Sequence, residues 1–147
     1  MRTRIFAVFV CLLAAGQVLG QTGGHKAVVM PAADVKWADM VGGPPGIKIA
    51  PLWGDYQKGA FGALIKFPAG LIAPLHTHTT DMRIVVVSGT FIHGPEGKTP
   101  VRLGPGSYLM QAGGAYRHTT ECDKASDCVM FADGRGKFDI HMVDAKK

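Results

Sequence analysis

Four signatures that would make the chemistry of this chain obvious are missing: a serine-nucleophile motif, a phosphate-binding glycine loop, a dinucleotide fingerprint and the HExxH of zinc proteases. Basic clusters are missing too, so the formal net charge of +5 is spread along the chain and gives no nucleic-acid footprint. No helical period of useful length occurs, and only 32–40 has room for a helical turn or two. Long apolar runs are also lacking. The one present, Ile5 to Ala15, is too short to be a permanent bilayer anchor. Cysteine is scarce, with three in 147 residues, which excludes a disulfide-dense scaffold.

What is present begins with processing. Arg2 and Arg4 precede the apolar run, and Val18-Leu19-Gly20 follows with a small last residue, the pattern of a secretory signal peptide over 1–20 cut after Gly20. Acylation at Cys11 is the weaker reading, because Val10 is too large for that processing. The mature protein is therefore expected outside the cytoplasm, in the periplasm or the medium. Cleavage removes two of the 16 basic residues and none of the 11 acidic ones, leaving +3. Cys122 and Cys128 then remain as an even pair in an oxidising compartment, where a disulfide is the default; thiolate ligation and a redox couple are the alternatives.

The rest is long enough for one domain with a core, and 47% apolar with 18% charged residues is globular composition. Twenty Gly and nine Pro favour short strands and turns. Strands are expected over 47–53, 60–67, 73–78, 83–87, 91–93, 101–103, 107–111, 117–122, 128–131 and 137–142, with the β-branched 83–87 buried on both faces. Gly54 to Gly59 and His93 to Lys98 read as turns. Such a series is an all-β sandwich or small barrel.

His76-Thr77-His78 is the most informative element. Residues i and i+2 of a strand face the same way, so two imidazoles share one side and need one or two more donors to close a metal site. His118 is the candidate third ligand. Asp81 lies close by as a supporting or general-base carboxylate, and Met82 is either core packing or a soft fourth ligand. His93 and His141 are expected at the surface, and His25 lies in a lead-in. Tyr108 and Tyr116 are read as packing first. Arg83 and Arg117 are possible carboxylate clamps whose direction the sequence leaves open.

Gly70-x5-His76-x-His78-x3-Met82-x6-Gly89 resembles the first motif of the cupin superfamily, with Met82 where Glu is usual. Leu103-Gly104-Pro105-Gly106-Ser107-Tyr108, then Ala112-Gly113-Gly114 and His118, resembles the second, with Ala112 where Pro is common and His118 one residue late. More loosely, the stretch 28–143 is similar to small secreted bacterial cupins without an assigned function, and to the metal-binding cupin domain of certain zinc-dependent anti-sigma factors. The resemblance implies a single-domain jelly-roll β-barrel over 28–143 with His76, His78 and His118 around a divalent transition metal, Fe or Zn first and Mn, Ni or Cu next. A three-His site without the usual carboxylate keeps its full +2 charge and an open position, suited to an anionic or enolate-like substrate.

Two readings follow. One is a metal-dependent oxygenase acting on a small organic acid or diketone. The other is a non-catalytic module that binds or senses a small ligand. Neither a nucleic acid nor, after cleavage, a membrane is an expected partner, and a homodimer is.

Overall fold

Alternation of apolar and polar side chains builds the core from two antiparallel sheets in the computed structural model, which describes residues 26–143. The expected signal peptide, 1–20, and His25 lie outside the described residues. Residues 26–30 have no regular structure. Pro31 onward forms the β unit, which opens with a single 3-10 turn at Ala32–Asp34.

Eleven strands follow: β1 Ala38–Asp39, β2 Lys48–Gly54, β3 Phe61–Phe67, β4 Ile72–Thr77, β5 Met82–Ser88, β6 Phe91–Pro95, β7 Val101–Leu103, β8 Tyr108–Gln111, β9 His118–Cys122, β10 Cys128–Gly134 and β11 His141–Met142. One sheet has the order β1-β2-β3-β10-β5-β8, the other β11-β4-β9-β6-β7. Sequential strands thus alternate between sheets from β3 to β6, as in a jelly roll. Among the described residues there is no α-helix.

The inner faces carry the core. Phe61, Ala63 and Ile65 of β3 point inward, and so do Met130 and Ala132 of β10 and Met82, Ile84 and Val86 of β5. Strand β5 departs from the expectation of double burial, since Val85 and Val87 are exposed. An antiparallel sheet packed against one other sheet leaves its second face to solvent, whatever the β-branched content of the strand. The 137–142 strand is also shorter than expected. Only His141–Met142 pairs, with β4, while 137–140 has no regular structure and is held by the Phe138 N–H donating to the Tyr56 carbonyl at 2.6 Å.

Two local devices fix the chain around the interior. Gly89, at φ +77°, turns β5 into β6 in a conformation that favours glycine. Cys122, closing β9, is disulfide-bonded to Cys128, opening β10, and so joins the two sheets at one end.

Candidate metal centre

A β-bulge decides where His76, in β4, and His78, just beyond its end, point. Ala73 is buried, so plain alternation would bury Leu75 and Thr77 and turn His76 and His78 out. The β4–β9 register shifts between Ala73 and His76, and across this irregularity the inward parity moves to His76 and His78, both buried. Pro74, which has no N–H for a ladder, sits in the shift. His76 pairs across the ladder with His118, the first residue of β9. His118 is fully buried, at 0% exposure.

The sequence had brought these three side chains together as candidate ligands, and they do converge. One potential ligand atom of each of His76, His78 and His118 lies within 4.8 Å of the others. Ring centroids are 4.3 Å apart for His76 and His118, 5.0 Å for His76 and His78, and 5.3 Å for His78 and His118. No carboxylate joins this group among the described residues.

The hydrogen bonds fix the tautomers. His76 Nδ1 lies 2.6 Å from the Pro74 carbonyl, His78 Nδ1 2.5 Å from the Asp139 carbonyl, and His118 Nδ1 3.4 Å from the Tyr116 carbonyl. A carbonyl can only accept, so in each ring the N–H is at Nδ1 and the lone pair is left on Nε2. The Nε2 of His118 is buried with no hydrogen-bond partner. An orphaned buried acceptor is disfavoured unless a cation or a ligand donor takes its lone pair.

Electrostatics keep the rings neutral. Burial depresses the His118 pKa to about 3, helped by repulsion from His76, His93 and His78. Burial likewise lowers His78 to about 4, against the opposing hydrogen bond to Asp139. His76 is lowered by burial, which outweighs its bond to Pro74. Neutral imidazole is the form that ligates.

His93 contradicts the surface expectation. It is 4% exposed, its ring centroid lies 4.9 Å from that of His118, and its Nε2 is 2.8 Å from the Tyr116 hydroxyl. The signal was present in the sequence, because Phe91 and His93 share a strand face and Phe91 is a core residue. Tyr116 in turn stacks on His118, with centroids 5.3 Å apart at 25°. It thus supports the third imidazole in addition to packing.

The other candidates sit elsewhere. The exposed Asp81 accepts the Gly113 N–H at 2.8 Å and so clips the loop that leads to His118. Arg83 pairs with Asp133 at 3.4 Å and Arg117 with Glu96 at 3.3 Å, both at the surface. Tyr108 is exposed, as is His141, which contacts Asp139 at 3.3 Å. Met82 is buried and lines the interior.

Beside His76 and His78 opens a cavity of about 50 Å³ lined by apolar side chains, including Ile65, Ile84 and Phe91, with Met82, Gln111 and Thr120. Phe138, 5.6 Å from His78 by ring centroids, also lines it. No Lys or Arg is among the lining residues. Small apolar-bodied ligands fit such a wall better than polyanions do.

Residues 25–137 match the family model of the ChrR cupin-like domain. No curated protein sequence matches the chain. Among solved structures, the polyketide cyclase RemF from Streptomyces resistomycificus is similar with a TM-score of 0.67 at 16% identity, over 84% of this chain and 88% of that one. KdgF from Halomonas sp. gives 0.56 at 20%, over 75% and 94%. A chain of the Rhodobacter sphaeroides complex of SigE with the anti-sigma ChrR gives 0.54 at 24%, over 71% of this chain and 51% of that one. These likenesses establish a shared fold.

Proposed function

Because the chain belongs to the family of ChrR cupin-like domains, and three neutral imidazoles converge inside its barrel, we propose that it is a metal-dependent cupin of the three-His type. His76, His78 and His118 hold one divalent transition metal through Nε2, iron or zinc first. The observation that carries this reading is the tautomer arrangement: each Nδ1 is engaged by a backbone carbonyl, and the freed Nε2 of His118 has no partner. A metal bound there supplies Lewis acidity toward a carbonyl or enolate oxygen.

The chain's own residues do the rest. The cavity beside His76 and His78 takes the body of a small organic molecule, and its walls exclude water. With Arg83 and Arg117 engaged at the surface, no guanidinium clamps a second carboxylate in the cavity. This favours a diketone or a monoacid over a dicarboxylic acid as substrate of an oxygenase-type reaction. Asp81 enters as a positioning residue acting through Gly113. The disulfide is consistent with an oxidising compartment, and we assign the mature protein to the periplasm or medium after removal of residues 1–20. The homodimer expected for it is read directly by sedimentation.

A second reading, a module that binds or senses a small ligand without turnover, is favoured by the family match and by the likeness to the SigE–ChrR complex. Elemental analysis of protein purified without chelator separates the two. Near-stoichiometric iron, lost in a His76→Ala, His78→Ala double variant, supports the oxygenase, and oxygen uptake is then the next assay. Stoichiometric zinc supports the binding module. Absence of metal from the wild type refutes the three-His site.

A further inference from the structure

Gln111 is a buried amide whose N–H donors are unused. It ends β8, pairs across the ladder with Met82, and is 2% exposed. Its side chain lines the same cavity as His76 and His78, yet its Nε2 has no hydrogen-bond partner. Leaving a buried donor unsatisfied is destabilising, and an apolar side chain of the same shape would remove that cost. A polar group kept at such a position in an otherwise apolar wall fits a ligand acceptor that completes it.

The cavity limits what that ligand is. Its 50 Å³ is about a third of the roughly 150 Å³ that holds a benzene, and has room for about four waters. A short aliphatic segment fits and an aromatic ring does not. With no cation in the wall, the acceptor at this end is uncharged.

We propose that Gln111 is the specificity residue of this site: its amide N–H donates to the uncharged carbonyl oxygen of a short aliphatic oxo-compound whose other, anionic or enolic end lies at the three histidines. The proposal rests on the metal reading only for the position of that second end.

Three carboxylates of related shape test it on the zinc-loaded protein by calorimetry. In 4-oxopentanoate the tail beyond the carboxylate has about five non-hydrogen atoms, matched to the space for about four waters. Pentanoate lacks the oxo group, and succinate places a second charge where the ketone sits. Wild type should bind 4-oxopentanoate about tenfold tighter than either, the effect of one hydrogen bond to an otherwise unsatisfied donor. In Gln111→Met, which keeps the volume, the ratio of 4-oxopentanoate to pentanoate should fall to near one while the melting temperature of the ligand-free protein rises. The proposal is overturned if the ketone preference survives in Gln111→Met, if wild type shows none or binds none of the three, or if Gln111→Met melts lower than wild type. Unchanged imidazole resonances of His76, His78 and His118 on zinc addition would instead mark failure of the metal reading. Then 2-butanone added to metal-free wild type reads Gln111 alone: movement of its side-chain amide resonances sustains the proposal and their stillness overturns it.

Discussion

Acid should weaken this fold through its buried histidines before it touches the carboxylates, and the size of the effect follows from the burial. An unfolded-chain histidine titrates near 6.5, whereas His118 and His78 are held at about 3 and about 4 in the folded protein. Above pH 6.5 both states are neutral and stability is at its full value. Below it the unfolded chain binds protons that the folded one does not, so stability falls as pH falls, down to the folded values. Each ring contributes a slope of about 1.4 kcal/mol per pH unit. Between pH 7 and 5 the pair together removes about 4 kcal/mol, a large share of the roughly 5–15 kcal/mol that holds a domain together. His76 and His93, also depressed by burial, add in the same direction. The assay is urea unfolding of metal-free protein followed by tryptophan fluorescence at pH 7, 6 and 5. Wild type is compared with a His78→Gln, His118→Gln variant so that other titrating groups cancel. Wild type should lose about 4 kcal/mol more than the variant over this range. Parallel pH profiles would refute the assignment of neutral, desolvated imidazoles. Saturating zinc should shift the wild-type loss to lower pH, because the metal binds only the folded, neutral site.

Two further outcomes are expected. Reducing the Cys122–Cys128 bridge, or replacing both by serine, should lower stability by about 2 kcal/mol, read from the denaturant midpoint, since the closed loop is short. Asp81→Ala should weaken zinc affinity and stability by about 1 kcal/mol, the net value of one hydrogen bond to the Gly113 N–H. Asp81→Asn, which keeps the accepting oxygen, should restore both; metal-supported activity in Asp81→Asn equally restored marks positioning, and its loss there marks a general base.

Strand identity was legible because alternation is written locally. Phe61-Gly62-Ala63-Leu64-Ile65 and Val101-Arg102-Leu103 are strands in both readings. The candidate ligands His76, His78 and His118 were legible from residue type and spacing, and the structure brings them together. Less legible were the supporting groups. His93 was misplaced because a histidine near a turn reads as polar surface, although its i−2 partner Phe91 marks the inner face. Gln111 carries no motif and becomes notable only when its unsatisfied amide is seen in an apolar wall.

By itself the sequence determined the all-β class, most turn positions and the residue types of a three-histidine, carboxylate-poor cluster, because each depends on residue type and near neighbours. Tertiary structure alone decided direction. Alternation counted from Ala73 would send His76 and His78 to solvent, and the register shift around Pro74 against β9 turns them inward. It also set the guanidiniums of Arg83 and Arg117 on surface carboxylates and placed Asp139, about sixty residues from His78 in sequence, where its carbonyl fixes that tautomer. A bulge's effect on parity and a bond between distant segments depend on which strands meet, and that is settled only when the two sheets close over their common core.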